Sequence, residues 1–466
     1  MNGLKIGFIP AHRDLMDEGY AKNIRDIFLD KLAGIKEIDV ICPDDTMTKS
    51  GLVRNEEDAE HVLKLFHESG IDAIIIGAIT YGDEKSVFTI VERFKNLPVF
   101  LFAVKDPEIP DNKYFKSAAS CGAMPISFGL HRRNIRFTFG GIFGIEDKNF
   151  DKKISLFVKV VLAVKKFRYA RIGMIGPRPN DFEICAFNEA DMIEKYGQRI
   201  ININLLDIEH QMGEIKNDSK QVADIIQRII SSADCTIEEK YLIKAAKLEI
   251  LMLKYANDFK LSTYAIQCWT SIQEYIGLTP CLNVGRITSL GFPTACEGDV
   301  HGALTMLIQY SLVLMKKDPM FLDILMQHPV KVDLFLAWHC GNASVANINE
   351  KQAAKIKSHC PFADSFGSEK GASTIEFMFK PGIVTVNRLV EHNGVFKMLN
   401  FTGEMIESND NLRGAWSWVR IKDREKLYET IFNKGFTHHV SIIHENITDE
   451  VKEFCKYFDI EFVGLD

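Results

Sequence analysis

The chain is predicted to be an α/β protein: two doubly wound α/β domains followed by a C-terminal antiparallel, β-rich and barrel-like domain. Three observations point there. Short apolar runs alternate with amphipathic helical patterns from the N-terminus, the alternation starts again near residue 150, and past residue 345 strand patterns follow one another through turn signals. At 466 residues the chain exceeds what one core ordinarily organises, and the changes of texture divide it into residues 1–150, 151–345 and 346–466.

In the first segment strands are expected at 5–10, 37–41, 72–77 and 99–104, with helices at 18–32, 57–69 and 83–96 between them. Strands this uniformly apolar belong in a parallel sheet covered on both faces. Ligands gather beyond the carboxyl ends of such strands, where Arg13 and Asp14 follow the first strand and Tyr81, Gly82 and Asp83 the third. The second segment opens with an amphipathic helix at 151–168 that feeds a strand at 171–176. Another helix follows Pro177-Arg178-Pro179-Asn180-Asp181-Phe182, and Thr236 with Glu239 reads as the capping box of a helix to about Asp258. In the third segment strands at 373–379, 383–391 and 395–402 are joined by Lys380-Pro381-Gly382 and His392-Asn393-Gly394, Asn-Gly being a strong hairpin signal. A strand at 440–444 and a helix capped by Thr448 and running through Tyr457 complete the pattern.

The hydrophobic fraction of 46% and charged fraction of 26% are those of a soluble globular protein, and a net charge of -7 offers no attraction to nucleic acid or an anionic membrane, so neither is expected as a partner. No run approaches the roughly 18 apolar residues of a membrane span, and the first residues lack a secretory pattern. The ten cysteines show no Cys-x-x-Cys spacing, which fits reduced, buried thiols in a cytoplasmic protein.

The segment Pro293-Thr294-Ala295-Cys296-Glu297-Gly298-Asp299-Val300-His301-Gly302 carries the strongest chemical signal. Glu297 and Asp299 stand at i and i+2 before an apolar helix pattern. If Cys296 to Asp299 is extended, both carboxylates share a face and suit one divalent cation or one proton. Solvated acids at a helix start are the plain alternative, but the small residues around them leave room for a ligand. His339 ends an apolar strand pattern, a place where a single histidine is often structural. His438 and His439 precede the strand at 440–444, and adjacent strand residues face opposite ways, so only one of them readily enters a given site. Gln267, Trp269 and Gln273 could line a polyol site, with Trp269 as a core residue the alternative. Arg13 and Arg178 could meet an anionic group, although loop arginines are usually solvated. Gly173-Met174-Ile175-Gly176 lacks the third glycine of a dinucleotide-binding turn and runs into Pro177 and Pro179, so a structural turn is expected there.

Taken together, Ala265-Ile266-Gln267-Cys268-Trp269-Thr270, Pro280-Cys281, the stretch from Gly291 through Met306, and His339-Cys340-Gly341-Asn342 resemble the L-fucose isomerase and L-arabinose isomerase superfamily over most of the chain. Gly435-Phe436-Thr437-His438-His439 is a weaker echo. The resemblance implies three domains, a manganese-type cation, a small-molecule sugar substrate, and a homo-oligomer with its active site near a subunit interface. The implied reaction interconverts aldose and ketose by moving a proton between C1 and C2 through an enediol. Glu297 and Asp299 would then be catalytic acids and, with His339 and His439, metal ligands; Arg13, Gln267, Trp269, Asn342 and His438 would contact substrate. One departure stands out: the family supplies a further Glu about two dozen residues before the Glu-x-Asp segment, where this chain has Ile266, Gln267 or Ser271, with Glu274 the nearest acid. Another carbohydrate reaction on the same scaffold, with a relocated third ligand, and a non-catalytic sugar-binding protein are the alternatives.

Overall fold

The structure, a computed structural model, describes residues 3–108, 115–359 and 372–465. It divides into two compact units, Met1–Lys165 and Lys166–Asp466.

The first unit is built on a five-stranded parallel sheet in the order Ile38–Ile41, Leu4–Ala11, Ala73–Ala78, Val99–Val104, Phe137–Phe143. Every residue of Ala73–Ala78 and Val99–Val104 is buried, the signature of strands covered on both faces. Helices Glu18–Ala33, Glu56–Ser69 and Glu84–Val91 alternate with the strands, each started by a side chain that accepts a backbone N–H: Asp17, Asn55 and Asp83. The sequence did not announce helix Ala119–Arg132 or the fifth strand. Pro125 interrupts the helical pattern of the first, and Gly140 and Gly141 the apolar run of the second.

The second unit contains a four-stranded parallel sheet in the order Thr294–Ala295, Thr263–Ile266, Arg171–Ile175, Arg199–Ile203. It also contains a closed antiparallel barrel. Six strands pair in a ring: Val395–Ile406, Gly382–His392, His439–Ile443, Met320–Gln327, Leu334–His339, Ala415–Arg420, and back to Val395–Ile406. Closure removes the unpaired edges that an open sheet of this kind would expose. Met320–Gln327 and Leu334–His339 belong to the barrel although they precede residue 345. The hairpin at His392-Asn393-Gly394-Val395 forms as its residues dictate: His392 pairs with Val395, and Asn393 and Gly394 take φ of 53° and 81°.

Two expected caps are corrected. Helix Glu239–Asp258 has Glu238 at its N-cap position, and Thr236 instead donates its hydroxyl to the Ile356 carbonyl at 3.1 Å. Thr448 is the first helical residue of Thr448–Lys456 rather than its cap, and its backbone N–H is taken by the Asn446 side chain at 3.2 Å. Among the described residues no helix is long and apolar enough to cross a membrane.

Helix Val300–Leu312 joins the two sheets of this unit, and all of its residues are buried. Its polar side chains pin it. The Gln309 amide donates to the Thr385 carbonyl at 3.2 Å, the Asn387 side chain at 2.8 Å and the Ser441 carbonyl at 3.0 Å, and accepts the Ser441 hydroxyl at 2.6 Å. The Leu389 N–H donates to Thr305 at 3.1 Å. A buried amide left unpaired costs about 1–3 kcal/mol, so these bonds lock the helix against strands Gly382–His392 and His439–Ile443. The N-terminus of that helix is Asp299.

Candidate active site

The Glu-x-Asp segment is not extended, so the condition under which both carboxylates would share a face is not met. Glu297 and Gly298 both lie in the left-handed region, with φ of 61° and 67°, so the chain turns between the short strand Thr294–Ala295 and the helix. Gly298 N–H donates to the Ile266 carbonyl at 3.0 Å, tying the turn to the end of strand Thr263–Ile266. A side chain there has no space: a Cβ on Gly298 would stand 3.0 Å from the Arg178 Cα and 3.2 Å from its nitrogen. The turn rotates the two carboxylates around one imidazole. His439 Nδ1 lies 2.9 Å from Asp299 Oδ2, and His439 Nε2 lies 2.9 Å from Glu297 Oε2.

The two acids are therefore not equivalent. Asp299 Oδ1 accepts the Gly302 N–H at 2.8 Å as the helix N-cap, while Oδ2 accepts from Arg388 and from His439 Nδ1–H. Both of its oxygens are engaged, and both Asp299 and Arg388 are about 1% exposed. Burial opposes ionisation of Asp299, but the Arg388 and His439 charges and hydrogen bonds prevail and hold its carboxyl well below the usual range. Glu297 follows the same balance: burial opposes its charged form, and His439, then the charges of His339 and His438, bring it below its ordinary value.

On the other side of the ring stand three buried atoms: Glu297 Oε2 and His439 Nε2, which face each other at 2.9 Å, and Asp323 Oδ1, which has no hydrogen-bond partner. Asp323, in strand Met320–Gln327, lies 3.8 Å from His439 Nε2, and Asp323, His438 and His439 bring ligand atoms within 4.8 Å of one another. With Nδ1–H given to Asp299, Nε2 of a neutral ring turns a lone pair toward carboxylate oxygens. Such an arrangement is stable only with a proton or a cation between them. Without a cation the proton takes the place: burial disfavours the imidazolium, yet Asp299, Cys185 and Glu297 raise the His439 pKa well above its ordinary value. Ligands about 2.1 Å from one ion and at right angles stand about 3 Å apart, so the 2.9 Å and 3.8 Å separations suit a divalent ion. Two carboxylates and an imidazole are the donors of a hard to borderline metal. A second grouping, Cys185, Asp299 and His439, approaches the Nδ1 side, but the Arg388 guanidinium on Asp299 makes that side unfavourable for a cation.

Asp323 is the residue sequence reasoning missed. Its signal is an acid inside the apolar run Met320-Phe321-Leu322-Asp323-Ile324-Leu325-Met326. Glu274, the nearest acid to the family position, is exposed on helix Ser271–Tyr275. His339 ends strand Leu334–His339 with its ring buried, and the Cys340 N–H donates to its Nδ1 at 2.9 Å. A neutral ring so bonded carries its proton on Nε2, an atom without a hydrogen-bond partner. Of the adjacent pair, His439 is buried and faces the acids, whereas His438 is exposed on a cavity of about 770 Å³. Asn342 is buried, with its amide donating to Cys296 Sγ at 3.2 Å and the Phe321 carbonyl at 3.1 Å and its Oδ1 unpartnered. Trp269 meets Phe182 edge to face at 5.3 Å, and Phe182 lies over His439 at 6.2 Å. Gln267 is buried at the strand end that holds the Gly298 turn, with its Oε1 unpartnered. Arg13 belongs to the first unit, where Asp83 at 3.2 Å and Glu84 at 2.6 Å already pair it.

Residues 7–168 match the model of the fucose/sulfoquinovose isomerase N-terminal domain, and residues 337–466 that of the L-fucose isomerase C-terminal domain. The chain belongs to the fucose isomerase-like superfamily. A sulfoquinovose isomerase of Alkalicoccus urumqiensis is 23% identical over 85% of this chain and 86% of its own length. Another, of Priestia aryabhattai, is 21% identical over 99% of both chains, and an L-arabinose isomerase of Mannheimia succiniciproducens is 18% identical over 69% of this chain and 66% of its own. The matched C-terminal domain contains His339 and His439; Glu297 and Asp323 lie between the two matched segments.

Proposed function

We propose that this chain is a divalent-cation-dependent aldose–ketose isomerase, with Mn²⁺ the first ion to test. Glu297, Asp323 and His439 would hold the cation. The observation that carries this reading is the buried His439 Nε2, which faces Glu297 Oε2 at 2.9 Å and Asp323 Oδ1 at 3.8 Å, ligand atoms from three separate elements. When bound, the ion supplies polarisation of a sugar carbonyl and hydroxyl.

The remaining roles belong to the chain itself. Asp299 fixes the His439 tautomer so that Nε2 keeps its lone pair, the usual task of a carboxylate behind a metal-binding histidine. Glu297 would carry the proton between C1 and C2: it stands beside the proposed cation position, and its lowered pKa keeps it ionised at neutral pH, as a base must be. His339 Nε2–H and His438 offer hydrogen bonds to sugar oxygens. Sulfoquinovose is the first substrate to try, since relatives matching nearly the whole chain carry that name. A homo-oligomer is part of the proposal, supported by large apolar side chains in solvent: Met124 and Phe128 on helix Ala119–Arg132, and Phe139 and Ile142 on an edge strand of the first sheet.

The test is solvent exchange. Chelated protein reconstituted with Mn²⁺ should convert an aldose to its ketose in D₂O with deuterium entering at C1 of the ketose and, through the reverse reaction, at C2 of the aldose, and chelation should abolish it. Metal-loaded protein that exchanges no hydrogen of sulfoquinovose or of a panel of pentoses and hexoses refutes the reaction.

A further inference from the structure

A second cavity of the second unit, of about 430 Å³, is lined by residues of helices Leu205–Glu214, Glu239–Asp258 and Ser271–Tyr275. It shares no lining residue with the cavity that His438 faces. Lys240, Lys244 and Lys247 all line it, since helix positions four and three apart fall on one face. Against them the wall sets Glu209, exposed on helix Leu205–Glu214.

Lys247 is the unusual member. It is about 8% exposed, and its ammonium donates to the Met212 carbonyl at 3.0 Å. Lys244, half-buried, donates to the Gly277 carbonyl at 3.3 Å. Among the described residues neither ammonium is paired with a carboxylate, whereas the exposed Lys240 has Glu238 at 3.0 Å. An ammonium brings three N–H donors and a full charge. One carbonyl answers one donor, and the C-terminal end of helix Leu205–Glu214 supplies at most about half a negative charge. Buried cations are otherwise kept by pairing, so two unopposed ammonium groups in one cavity call for an anion from outside the chain. Burial, then the charge of Lys240, lowers the Lys244 pKa, as expected of a lysine in a positive pocket.

We propose that this cavity is a second ligand site, for a phosphate dianion, free or carried as a monoester, with Lys244 and Lys247 as the cation pair that holds it. Such a group has a charge of about −1.5 to −2 near pH 7 and three strong acceptor oxygens, which matches two ammonium groups. The volume lies within the range of small-molecule pockets, and Met212, Ile243, Ile276 and the exposed ring of Tyr275 offer an apolar wall to the organic part of an ester. The site does not depend on the reaction proposed above, because none of these residues belongs to the cation cluster.

Calorimetric titration of the full chain with inorganic phosphate, AMP and adenosine, with and without Mn²⁺, tests it. At least one of the two phosphates should bind with a dissociation constant of about 1 mM or tighter. Preference for inorganic phosphate assigns the free ion; preference for AMP, with adenosine about tenfold weaker or more, assigns the ester. Lys244→Met and Lys247→Met should each weaken the better-bound phosphate by about tenfold or more. Lys254→Met, which removes a charge paired with Asp258 on the same helix outside the cavity, should leave it within about threefold. Lys244→Met decides alone if Lys247→Met does not fold, because Lys244 is only half-buried. Mn²⁺ should alter the affinity by less than about threefold, which separates this site from the cation cluster. The proposal is overturned by binding of neither phosphate, by adenosine binding as tightly as a preferred AMP, by binding that requires Mn²⁺, or by affinity that survives both cavity substitutions or falls equally in Lys254→Met.

Discussion

Replacing Asp323 by Asn isolates the carboxylate that the sequence concealed. The substitution preserves volume in strand Met320–Gln327 and removes one charge, 3.8 Å from His439 Nε2, from the proposed cation position. At an effective dielectric constant of about 20, unit charges about 4 Å apart interact by about 4 kcal/mol, and a dication by about twice that. Desolvation of the carboxylate and the residual dipole of the amide offset much of this. Retention of only a third of it leaves about 2.7 kcal/mol, or about a hundredfold in affinity. The Mn²⁺ dissociation constant of Asp323→Asn, read by electron paramagnetic resonance of free ion, should therefore rise by about a hundredfold or more. Glu274→Gln, altering an exposed acid, should leave it unchanged. The thermal midpoint of the metal-free Asp323→Asn variant should not fall, because the substitution removes a carboxylate that has no hydrogen-bond partner on Oδ1. Unchanged Mn²⁺ affinity in Asp323→Asn, or an equal loss in Glu274→Gln, refutes this ligand set.

Three further outcomes follow from the same geometry. Asp299→Asn should weaken Mn²⁺ binding by about 10–100-fold, the usual cost of losing the group that orients a ligand histidine; titration with the ion checks it, and wild-type affinity would remove Asp299 from that role. Stabilisation by Mn²⁺ should grow with pH. The His439 pKa is raised in the metal-free fold, so its contribution to stability is fully present below about 6.5 and is lost as pH climbs through the raised value, whereas the ion requires the neutral ring. Thermal denaturation with and without Mn²⁺ between about pH 6 and 8.5 reads the difference, and a gap that shrinks with rising pH contradicts the His439 assignment. Gly298→Ala should destabilise the protein by about 1–3 kcal/mol, because φ is 67° and the new Cβ meets Arg178 backbone at 3.0 Å; urea unfolding measures it, and a loss below about 0.5 kcal/mol rules out strain at this turn.

The architecture was legible wherever one period dominated. Fully buried runs such as Ala73–Ala78 and Val99–Val104 can only serve a two-sided parallel sheet, and Asn393-Gly394 marks its hairpin by residue type alone. Strands at Phe137–Phe143 and Ala415–Arg420 escaped because glycines or alternating tryptophan and small residues hide the pattern. At the site, a shared face for Glu297 and Asp299 depends on an extended backbone. Spacing of two residues then means a shared face, and a shared face means shared ligation. Two successive left-handed residues, one of them a non-glycine, break that inference: Glu297 and Asp299 reach opposite nitrogens of His439, one open to a cation and the other closed by Arg388. No periodicity encodes this, because Arg388, Asp323 and His439 are brought to the turn by barrel closure, a contact among strands 51 to 116 residues apart. Barrel closure thus serves chemistry as well as stability. The pairing of His439 with Asp323 across antiparallel strands His439–Ile443 and Met320–Gln327 sets the imidazole beside the acid, and the buried Gln309 bonds hold the helix that carries Asp299 against the same strand. A slip of one residue in that strand register would send His439 outward and His438 inward, which is why the ligand set depends on the barrel being closed rather than on the motif alone.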